Sequence, residues 1–250
     1  MAQSSQRRVN RQGSSNQYFG NQKKHLDEKI QALKGCLCFT HLSEDLLKDA
    51  AASATLRRFK RGEFILQEGD LPIVFQVIQK GHVKIFKQTA SGKNFIMSVL
   101  SPGQALNGVV VLEGRPHFVS AQALDDVSII RVRREDYLTL LERHPSVALK
   151  IIGILDKVLA STYDRVIDIV GERAEQRVCN ILFMLHKGFG NELSFTTGEI
   201  ADMAGTTAET AIRVLTRFKE LHVIDRTGRR KLRILDEAEL KNLSRGPFYL

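Results

Sequence analysis

The sequence predicts an α+β protein, with an antiparallel β-roll of the jelly-roll type followed by a long helix and a C-terminal winged helix-turn-helix. The β-roll is indicated by short apolar runs separated by glycines over residues 55–132. The long helix is indicated by an apolar stripe of about 24 residues, and the helix-turn-helix by two short helical patterns that meet at Gly205. The glycines that separate the apolar runs are Gly62, Gly69, Gly81, Gly92 and Gly103.

Length and charge limit what the chain can be. Its 250 residues suffice for two modest domains, and it has neither an apolar run long enough to span a membrane nor an N-terminal apolar segment typical of a secretion signal. We therefore expect a protein of the bacterial or archaeal cytosol with no membrane partner. The net charge of +9 comes largely from the first 34 residues, which carry seven Lys or Arg against two acids. Residues 1–24 have few aliphatic side chains and are predicted to be a disordered basic tail.

Residues 25–143 are predicted to form the β-roll, the sensory domain. Helical patterns extend from Leu26 to Ala52, and strand-like runs follow. A hairpin turn is expected at Ser91-Gly92. The predicted strands are Phe64–Leu66, Ile73–Ile78, Val83–Phe86, Phe95–Leu100, Val119–Ala123 and Ser128–Val132.

Residues 144–170 are predicted to form a helix through which two copies of the chain pair. A short helix is expected over Arg134–Arg143, and Pro145 suits the first turn of the next helix. The apolar positions that follow are close to a heptad repeat and extend further than one small domain needs, which favours a dimer seam. The alternative is a core helix that lies over the roll. The stripe consists of Ile151, Ile154, Leu155, Val158, Leu159, Val166 and Ile169.

Residues 171–250 are predicted to form the helix-turn-helix domain. Thr196 and Glu199 have the spacing of a capping box, and Gly205 can adopt the positive φ of a sharp turn. One of the two threonines that follow Gly205 is expected to cap the second helix. The buried stripe of that helix, at spacings of i, i+3, i+4 and i+7, consists of Ala211, Val214, Leu215 and Phe218.

The outward face of this second helix fits the chemistry of a DNA major groove. The fork of Arg213 can bind guanine N7 and O6 together, Glu209 can accept from a cytosine amino group, and Ile212 can pack on a thymine methyl. Because Glu209 and Arg213 lie one turn apart, the alternative is a surface ion pair on an ordinary helix. The residues predicted to contact DNA are Thr207, Ala208, Glu209, Thr210, Ile212, Arg213, Arg217 and Arg229.

A hairpin is predicted directly behind this helix. Val223-Ile224 and Leu232–Leu235 are short aliphatic runs, and the turn between them is expected at Thr227-Gly228. From position 213 to position 233 the chain carries eight cations against two carboxylates, which suits contacts to phosphate. The hairpin is therefore predicted to be a wing that lies against the DNA backbone.

Over about residues 35–240 the sequence resembles the CRP/FNR family of bacterial transcription regulators. The segments that carry the resemblance are KRGEFILQEGD, VIQKGHVKIFKQTASGKNF, LSPGQAL and GEIADMAGTTAETAIRVLTRFKEL. It implies a homodimeric, sequence-specific DNA-binding regulator whose Glu209, Thr210 and Arg213 recognise a TGA-like core in each half of an inverted-repeat operator. It also implies a cyclic-nucleotide-binding-like effector domain and a contact with RNA polymerase. Ala208 and Ile212 leave the bases outside that core unassigned.

The signal is not named by the resemblance. Members that bind cyclic AMP have a Glu for the ribose and an Arg-Ser/Thr pair for the phosphate. In this chain Gly108 replaces the Glu, and Pro116, which lacks a hydroxyl and an amide donor, follows Arg115. We therefore expect a signal other than cyclic AMP, or constitutive activity. The candidate effector pocket consists of Gly108, Arg115, His117, Thr162 and Tyr163.

Other cofactors are constrained by the cysteines and histidines. Three cysteines are too few for the four-cysteine iron–sulfur cluster of FNR-type oxygen sensors, and Cys179 lies on the apolar side of a helix. Cys36 and Cys38 are either a redox-sensitive thiol pair or two small apolar residues in a helical pattern. Haem is compatible with four histidines of the sensory half, although no spacing distinguishes one of them: His25, His41, His82 and His117.

No enzymatic activity is predicted. The sequence contains no nucleophile–base motif, no metal-spaced cluster and no glycine-rich phosphate loop, so no catalytic or metal-binding residue is assigned. A second function class stays open, an effector-binding module that regulates a partner protein and carries a degenerate helix-turn-helix. The outward face with Glu209 and Arg213, together with the basic hairpin, favours the DNA-binding regulator.

Overall fold

The computed structural model describes residues 26–40 and 42–244. Within them the chain packs into two compact units. One unit extends to Lys84 and resumes over Leu100–Ile151, and the other comprises Ile85–Val99 and the residues from Ile152 onward. The predicted basic tail, His25 and His41 lie outside the described residues.

Seven antiparallel strands form the β-roll that the glycine-punctuated pattern predicted. They are β1 (Thr55–Phe59), β2 (Phe64–Leu66), β3 (Val74–Lys80), β4 (Val83–Gln88), β5 (Asn94–Leu100), β6 (Ser120–Ala123) and β7 (Val127–Arg133). One sheet has the order β1-β7-β3 and the other β2-β6-β4-β5. In the first sheet Leu56 lies opposite Ile130, and Phe75 lies opposite Val132. The predicted antiparallel roll is confirmed.

The turns of the roll require its glycines. All five glycines that separate the predicted strands have positive φ, a conformation that side chains disfavour. Gly81 and Gly103 also lie in close contact with neighbouring chain. A Cβ atom would come within 2.5 Å of an Asp125 carboxylate oxygen at Gly81, and within 2.5 Å of the Gly35 carbonyl oxygen at Gly103.

An aromatic cluster lies in the core of this first unit. The rings of Phe75 and Tyr137 stack with centroids 4.1 Å apart, and Phe39 packs on Phe75 at 5.5 Å and edge-on to Tyr137 at 6.5 Å. All three residues are at most 2% exposed. Such pairs add about 0.5–1.5 kcal/mol each beyond the apolar area they bury, so the cluster fixes three separate segments of the chain.

Between residues 26 and 171 the described chain forms five helices. They are α1 (residues 26–34), α2 (Glu44–Ser53), α3 (Val110–Glu113), α4 (Arg134–Arg143) and the 27-residue α5 (Pro145–Gly171). The start of α5 at Pro145 is as predicted. Strand β1 and helix α3 were not predicted: only Phe59 is buried in β1, and α3 has four residues, so neither presents a clear apolar period.

The second unit contains four further helices and a small sheet. They are α6 (Ala174–Phe189), α7 (Thr197–Ala204), α8 (Ala208–Glu220), α9 (Glu237–Leu243), β8 (Glu192–Leu193), β9 (Ile224–Gly228) and β10 (Lys231–Ile234). The sheet has the order β8-β10-β9. Strand β8 and helix α9 were not predicted, because a two-residue strand and a seven-residue helix give weak patterns.

The segment Ile85–Val99 is held within the second unit by Arg165 of α5. The Arg165 guanidinium donates to the carbonyl oxygens of Ile96, at 3.1 Å, of Met97, and of Met203 in α7, at 2.6 Å. Because a guanidinium carries five donors in a fixed plane, one side chain can satisfy carbonyls from two elements at once.

Candidate nucleic-acid interface

The two helices of the predicted helix-turn-helix are α7 and α8, and their termini follow the predicted chemistry. The hydroxyl of Thr196 accepts from the Glu199 N–H at 3.1 Å, and the Glu199 carboxylate accepts from the Thr196 N–H at 2.8 Å. This is the predicted capping box. Gly205 ends α7 in the left-handed conformation at φ 59° and ψ 40°. Thr207 caps α8 by accepting from the Thr210 N–H at 3.2 Å.

Helix α8 presents two distinct faces. The four residues predicted as its buried stripe are at most 4% exposed: Ala211, Val214, Leu215 and Phe218. The opposite face is exposed and carries Thr207, Ala208, Glu209, Ile212, Arg213, Thr216 and Arg217, with Thr210 half-buried at its edge. The division follows the 3.6-residue period, and it leaves Ile212 52% exposed.

Arg213 and Arg217 share this exposed face but differ in their partners. The Arg217 guanidinium is bonded to the Glu175 carboxylate of α6. Arg213 makes no ion pair with any residue in the described part of the chain. Its guanidinium is therefore available to an external acceptor, whereas that of Arg217 fixes α8 to α6.

Glu209 is an ionised carboxylate in the first turn of α8. The hydrogen bond from its own backbone N–H, followed by the one from the Thr207 hydroxyl, holds its pKa below the ordinary range. Its side chain is oriented by the helix N-terminus, where a negative charge is favourable. The structure gives no ion pair between Glu209 and Arg213, so the surface-pair alternative has no support among the described residues.

The hairpin behind α8 is present, but its predicted turn is wrong. Gly228 pairs with Lys231, so the turn consists of Arg229 and Arg230, and the residues expected there, Thr227 and Gly228, belong to β9. Gly228 is absent from the positive-φ glycines of the described chain. A register shift between Lys231 and Leu232 accompanies the displacement. Arg229 is consequently at the tip of the hairpin and exposed.

Half of the eight cations counted from the sequence are engaged within the second unit. Besides Arg217, the paired ones are Lys219 with Asp225 at 3.7 Å, Arg230 with Glu199 at 3.0 Å, and Arg233 with Glu192. Three of the acids involved lie outside the counted segment, so the sequence count overstates the free charge. The cations that make no ion pair with a described residue are Arg213, Arg226, Arg229 and Lys231.

Arg230 and Arg177 position the site and were not identified from the sequence. Arg230 donates to one oxygen of the Glu199 carboxylate at 3.2 Å and lies 3.0 Å from the other, which closes the capping box, so this side chain ties the hairpin to α7. Arg177 of α6 donates to the carbonyls of Ala204 at 2.8 Å and Gly205 at 3.2 Å, at the end of α7. Cations at a helix C-terminus satisfy carbonyls that lack partners within the helix.

A second unpartnered surface runs along α5. At alternating spacings of three and four residues lie Ile152, Leu155, Leu159, Thr162, Val166 and Ile169, here named the α5 seam. Its apolar members are 40–60% exposed. Ile151, which the sequence placed in the stripe, is only 7% exposed and belongs to the core instead. A heptad-spaced apolar seam left in solvent is typical of a helix that pairs with another.

The candidate effector residues of the first unit are not arranged as an open anion site. Arg115 is exposed and bonded to Glu113, so a carboxylate already neutralises it. His117 is 5% exposed, and burial lowers its pKa, which favours the neutral ring. Gly108 lies beside Phe75 and Tyr137. A Cβ atom at this position would be 3.6 Å from the Phe75 ring and 3.7 Å from the Tyr137 hydroxyl oxygen, which is ordinary van der Waals contact.

The segment that contains Gly108 is held by side chains that sequence reasoning missed. The Asn107 amide donates to the Val74 carbonyl at 2.8 Å, and its oxygen accepts from the Gln76 N–H at 3.0 Å. The Tyr137 hydroxyl donates to the Gly108 carbonyl at 3.1 Å. Arg134 donates to two carbonyls of α3. The polar groups of this segment are therefore largely satisfied by the chain itself.

The remaining predicted residues have their own surroundings. In the second unit the Thr162 hydroxyl donates to the Val158 carbonyl at 2.7 Å, and Tyr163 is 60% exposed. His82 is bonded to Asp125 at 2.6 Å. Cys179 is buried, and burial raises its pKa to about 12, so it is an unreactive thiol. Among the described residues no three His, Cys, Asp or Glu side chains are grouped to hold a metal, and no helix is long and apolar enough to cross a membrane.

Comparison with known proteins identifies two matching domain families. Residues 56–144 match the cyclic nucleotide-binding domain, and residues 176–243 match the Crp-like helix-turn-helix domain. Over 216 residues the chain is 29% identical to the cyclic AMP receptor protein of Thermus thermophilus, covering 86% of this chain and 99% of that protein. Over 198 residues it is 27% identical to the transcriptional activator protein anr of Pseudomonas aeruginosa, covering 76% and 80%.

Solved structures share the fold. FixK2 from Bradyrhizobium japonicum superposes with a TM-score of 0.70 at 21% identity, over 78% of this chain and 98% of that one. The c-di-GMP-responsive global regulator CLP from Xanthomonas campestris gives a TM-score of 0.69 at 16% identity, over 78% of this chain and all of that one. One of these similar proteins is a cyclic AMP receptor protein and another is a c-di-GMP-responsive regulator, so the shared fold does not fix the signal.

Proposed function

Because the chain belongs to the CRP/FNR family of transcription regulators, we propose that it acts as a homodimer that recognises an inverted DNA repeat through α8 of each protomer. The observation that carries this proposal is the exposed face of α8, where Arg213 has no ion-pair partner among the described residues. Arg213 supplies a bidentate contact to guanine, and Glu209 accepts from a neighbouring cytosine amino group. Each such pair contributes about 1–3 kcal/mol of discrimination against a wrong base.

The hairpin supplies the contacts that do not depend on sequence. Arg226, Arg229 and Lys231 make no ion pair within the described residues, so they can approach phosphates. Each phosphate contact releases counterions and steepens the salt dependence of binding by about one unit of log affinity per log salt. Arg217, Arg230 and Arg233 are bonded to carboxylates of the same unit, so a phosphate would have to compete with those partners.

Dimerisation through the α5 seam follows from the same logic. A helix of 27 residues is about 40 Å long, and its exposed apolar members repeat at heptad spacing. The occupant that matches a heptad seam is an identical helix related by a two-fold axis. A two-fold axis also places two recognition helices about one DNA turn apart, which is the geometry of an inverted repeat.

The controlling signal is proposed to differ from cyclic AMP, or the protein is constitutively active. Gly108 and Pro116 remove the ribose and phosphate partners expected from the family, and the Arg115 guanidinium is already bonded to Glu113. The alternative of a partner-regulating module with a degenerate helix-turn-helix is not favoured, because the buried and exposed faces of α8 are both intact. Contact with RNA polymerase is expected of the family and stays a prediction.

The test is selection of DNA by the full-length protein from a pool of duplexes with a randomised segment. We expect retained sequences to contain two inverted half-sites whose centres are about 10–10.5 base pairs apart. Retention of a single half-site, or of every sequence alike, would show that the dimer or the base contacts are wrongly assigned. An Arg213→Ala protein serves as the matched control and should lose the preference for the guanine in each half-site.

A further inference from the structure

Two cysteines of the first unit lie side by side in the turn that follows α1. The Sγ atoms of Cys36 and Cys38 are 2.9 Å apart. Both residues are at most 5% exposed, yet Leu37 between them is 48% exposed and Gly35 is exposed as well. The sulfurs therefore lie one side chain below the surface. They are not part of a helix, contrary to one of the two interpretations of the sequence.

The turn that carries the thiols is fixed by backbone hydrogen bonds. The Leu37 N–H donates to the Gly103 carbonyl at 3.1 Å, and the Phe39 N–H donates to the Cys36 carbonyl at 2.9 Å. Gly103 approaches Gly35 so closely that no side chain fits between them. Because both backbone segments are held in this way, the two sulfurs are kept in contact rather than brought together by chance rotation of exposed side chains.

We infer that Cys36 and Cys38 form a reversible dithiol–disulfide pair that is oxidised by a hydroperoxide. The separation of their sulfurs needs to shorten by only about 1 Å to reach the length of a disulfide bond. The inference concerns a covalent modification within the first unit and does not depend on the proposed DNA recognition. Among the described residues the two cysteines belong to no group of three or more His, Cys, Asp or Glu side chains that could hold a metal, and both are free thiols.

The two thiols have different roles in this chemistry. The hydrogen bond from the Cys38 thiol lowers the pKa of Cys36 against the opposing effect of burial, and the same interaction together with burial raises the pKa of Cys38. Cys36 is therefore the more acidic of the two thiols, and the thiolate is the form that attacks peroxides. Cys38 remains protonated beside it and acts as the resolving thiol.

The reaction proceeds in two balanced steps. The Cys36 thiolate attacks one oxygen of the hydroperoxide, an S–O bond forms as the O–O bond breaks, and the alkoxide or hydroxide that leaves takes the Cys38 proton. The Cys38 thiolate then attacks the sulfenic sulfur of Cys36, an S–S bond forms, and hydroxide leaves as water after taking a proton from solvent. Two electrons pass from the two sulfurs to the peroxide, and an added dithiol reverses the change by thiol–disulfide exchange.

A purely structural role for this pair is disfavoured by the length of the loop it would close. A disulfide stabilises a fold mainly by restricting the unfolded chain, and the effect grows with the number of residues enclosed. A bridge across Leu37 alone encloses a single residue and adds little stability. Two cysteines that served only to fill space in the core would not need their sulfurs in hydrogen-bond contact.

The pair is connected to the segment that contains Gly108. Phe39, directly after Cys38, packs edge-on to Tyr137, and the Tyr137 hydroxyl donates to the Gly108 carbonyl at 3.1 Å. The charge of the cysteines contributes to raising the pKa of Tyr137, behind the larger effect of burial, which places the phenol near the sulfurs. Closing the disulfide shifts the turn that carries Phe39, and this reaches Gly108 through one aromatic contact and one hydrogen bond.

Peptide mapping of the full-length protein tests the inference. Trypsin is expected to release residues 35–48 with both cysteines in one peptide and residues 178–187 with Cys179 in another. The protein is treated with hydrogen peroxide, denatured and alkylated before digestion. We expect the first peptide to carry no alkyl groups and to have the mass of the unalkylated dithiol peptide less two hydrogens. Cys179 should remain fully alkylated, and dithiothreitol should restore both alkylation sites. Two alkyl groups on the first peptide after peroxide, or irreversible sulfinate at either position, would overturn the inference.

Single substitutions identify the attacking thiol. In Cys38→Ser the sulfenic acid at Cys36 cannot be resolved, so a dimedone adduct should accumulate there, whereas Cys36→Ser should give none at Cys38. The reverse pattern contradicts the assigned roles. The chain contains no tryptophan, so tyrosine emission reports the coupling directly. Oxidation should quench it, and the quenching should be lost in Tyr137→Phe; equal quenching in both proteins would rule out the connection to Tyr137.

Discussion

Helix α8 and the segment from Asn107 to His117 both present an exposed arginine, but the two arginines differ in what surrounds them. Arg213 of α8 has no ion pair with a described residue, and its neighbours Glu209 and Ile212 are exposed with it. Arg115 is bonded to Glu113. The rest of its segment is tied to the fold through Asn107 and through the carbonyl of Gly108. Arg213 can therefore meet an external acceptor without losing an ion pair, whereas Arg115 already has a carboxylate partner.

The two surfaces differ in what a ligand must displace in order to bind. Polar groups that pair within the fold have already gained their hydrogen bonds, so a ligand must displace those partners to bind. Exposed groups without an internal partner exchange only hydrogen bonds to water when they bind a ligand. The α5 seam is the apolar equivalent, because its exposed side chains would be stabilised by burial against the proposed second copy. Each of the following variants changes one of these surfaces.

The largest effect is expected from Leu155→Glu in the α5 seam. In a dimer the two glutamates would face each other across the axis, and burying such unpaired charges costs about 3–5 kcal/mol. We expect the variant to sediment as a folded monomer and to lose binding to the two-half-site operator. The matched control is Ala160→Glu, which adds the same charge at an exposed position of α5 outside the seam.

Retention of the wild-type sedimentation coefficient by Leu155→Glu would mean that the seam lies elsewhere. Glutamate is a good helix former, so circular dichroism should show unchanged helix content in both variants. Loss of the dimer in Ala160→Glu as well would indicate a general effect of negative charge on α5 rather than burial at the seam.

The next largest effect is expected from Arg213→Ala. Loss of a bidentate guanine contact costs about 1–3 kcal/mol in each half-site and relaxes the preference at that base. Arg229→Ala, at the tip of the hairpin, should instead weaken binding to all sequences alike and reduce the salt slope by about one unit per protomer. Fluorescence anisotropy on operators with single-base changes, at several salt concentrations, distinguishes the two patterns. A uniform loss of affinity in Arg213→Ala would assign it an electrostatic role only.

A smaller effect, on folding rather than binding, is expected from Arg230→Ala. The Arg230 side chain is 25% exposed and its partner Glu199 is 13% exposed, so removing the guanidinium leaves a mostly buried carboxylate with fewer partners. We expect the free energy of unfolding to fall by about 1–3 kcal/mol. The neighbouring Arg229→Ala should change it by no more than about 0.5 kcal/mol. Urea denaturation measures both, and equal losses would contradict the distinct roles of these two residues.

The contrast between these neighbouring arginines also shows the reach of sequence analysis. The faces of α8 were predictable because a helix period places Ala211 and Arg213 on opposite sides without reference to the rest of the fold. The roles of Arg177 and Arg230 were not, because their partners lie 27 and 31 residues away along the chain. The hairpin turn was misplaced because the glycine-containing pair Thr227-Gly228 was taken as the turn, whereas both residues lie in β9.

The fold itself was more predictable than the effector segment for a related reason. Strands and long helices repeat a pattern over many residues, and the five glycines mark the turns between them. The surroundings of Gly108 are assembled from single residues of β3, α3 and α4, such as Val74, Arg134 and Tyr137. No local spacing announces such a site. The sequence left two interpretations of Cys36 and Cys38, because their contact depends on the turn that follows α1.

The smallest effect is expected from cyclic AMP, and its titration tests the segment from Asn107 to His117 directly. Gly108 offers no carboxylate to a ribose hydroxyl, and a phosphate would have to compete with Glu113 for Arg115. We therefore expect titration with cyclic AMP to change operator affinity by less than tenfold, which corresponds to less than about 1.4 kcal/mol of coupling. Glu113→Gln is the informative variant, because it frees the Arg115 guanidinium while preserving the shape of the side chain. If cyclic AMP tightens DNA binding tenfold in the unaltered protein, the exposed pair of Arg115 and Glu113 opens on ligand binding, and the contrast with Arg213 fails.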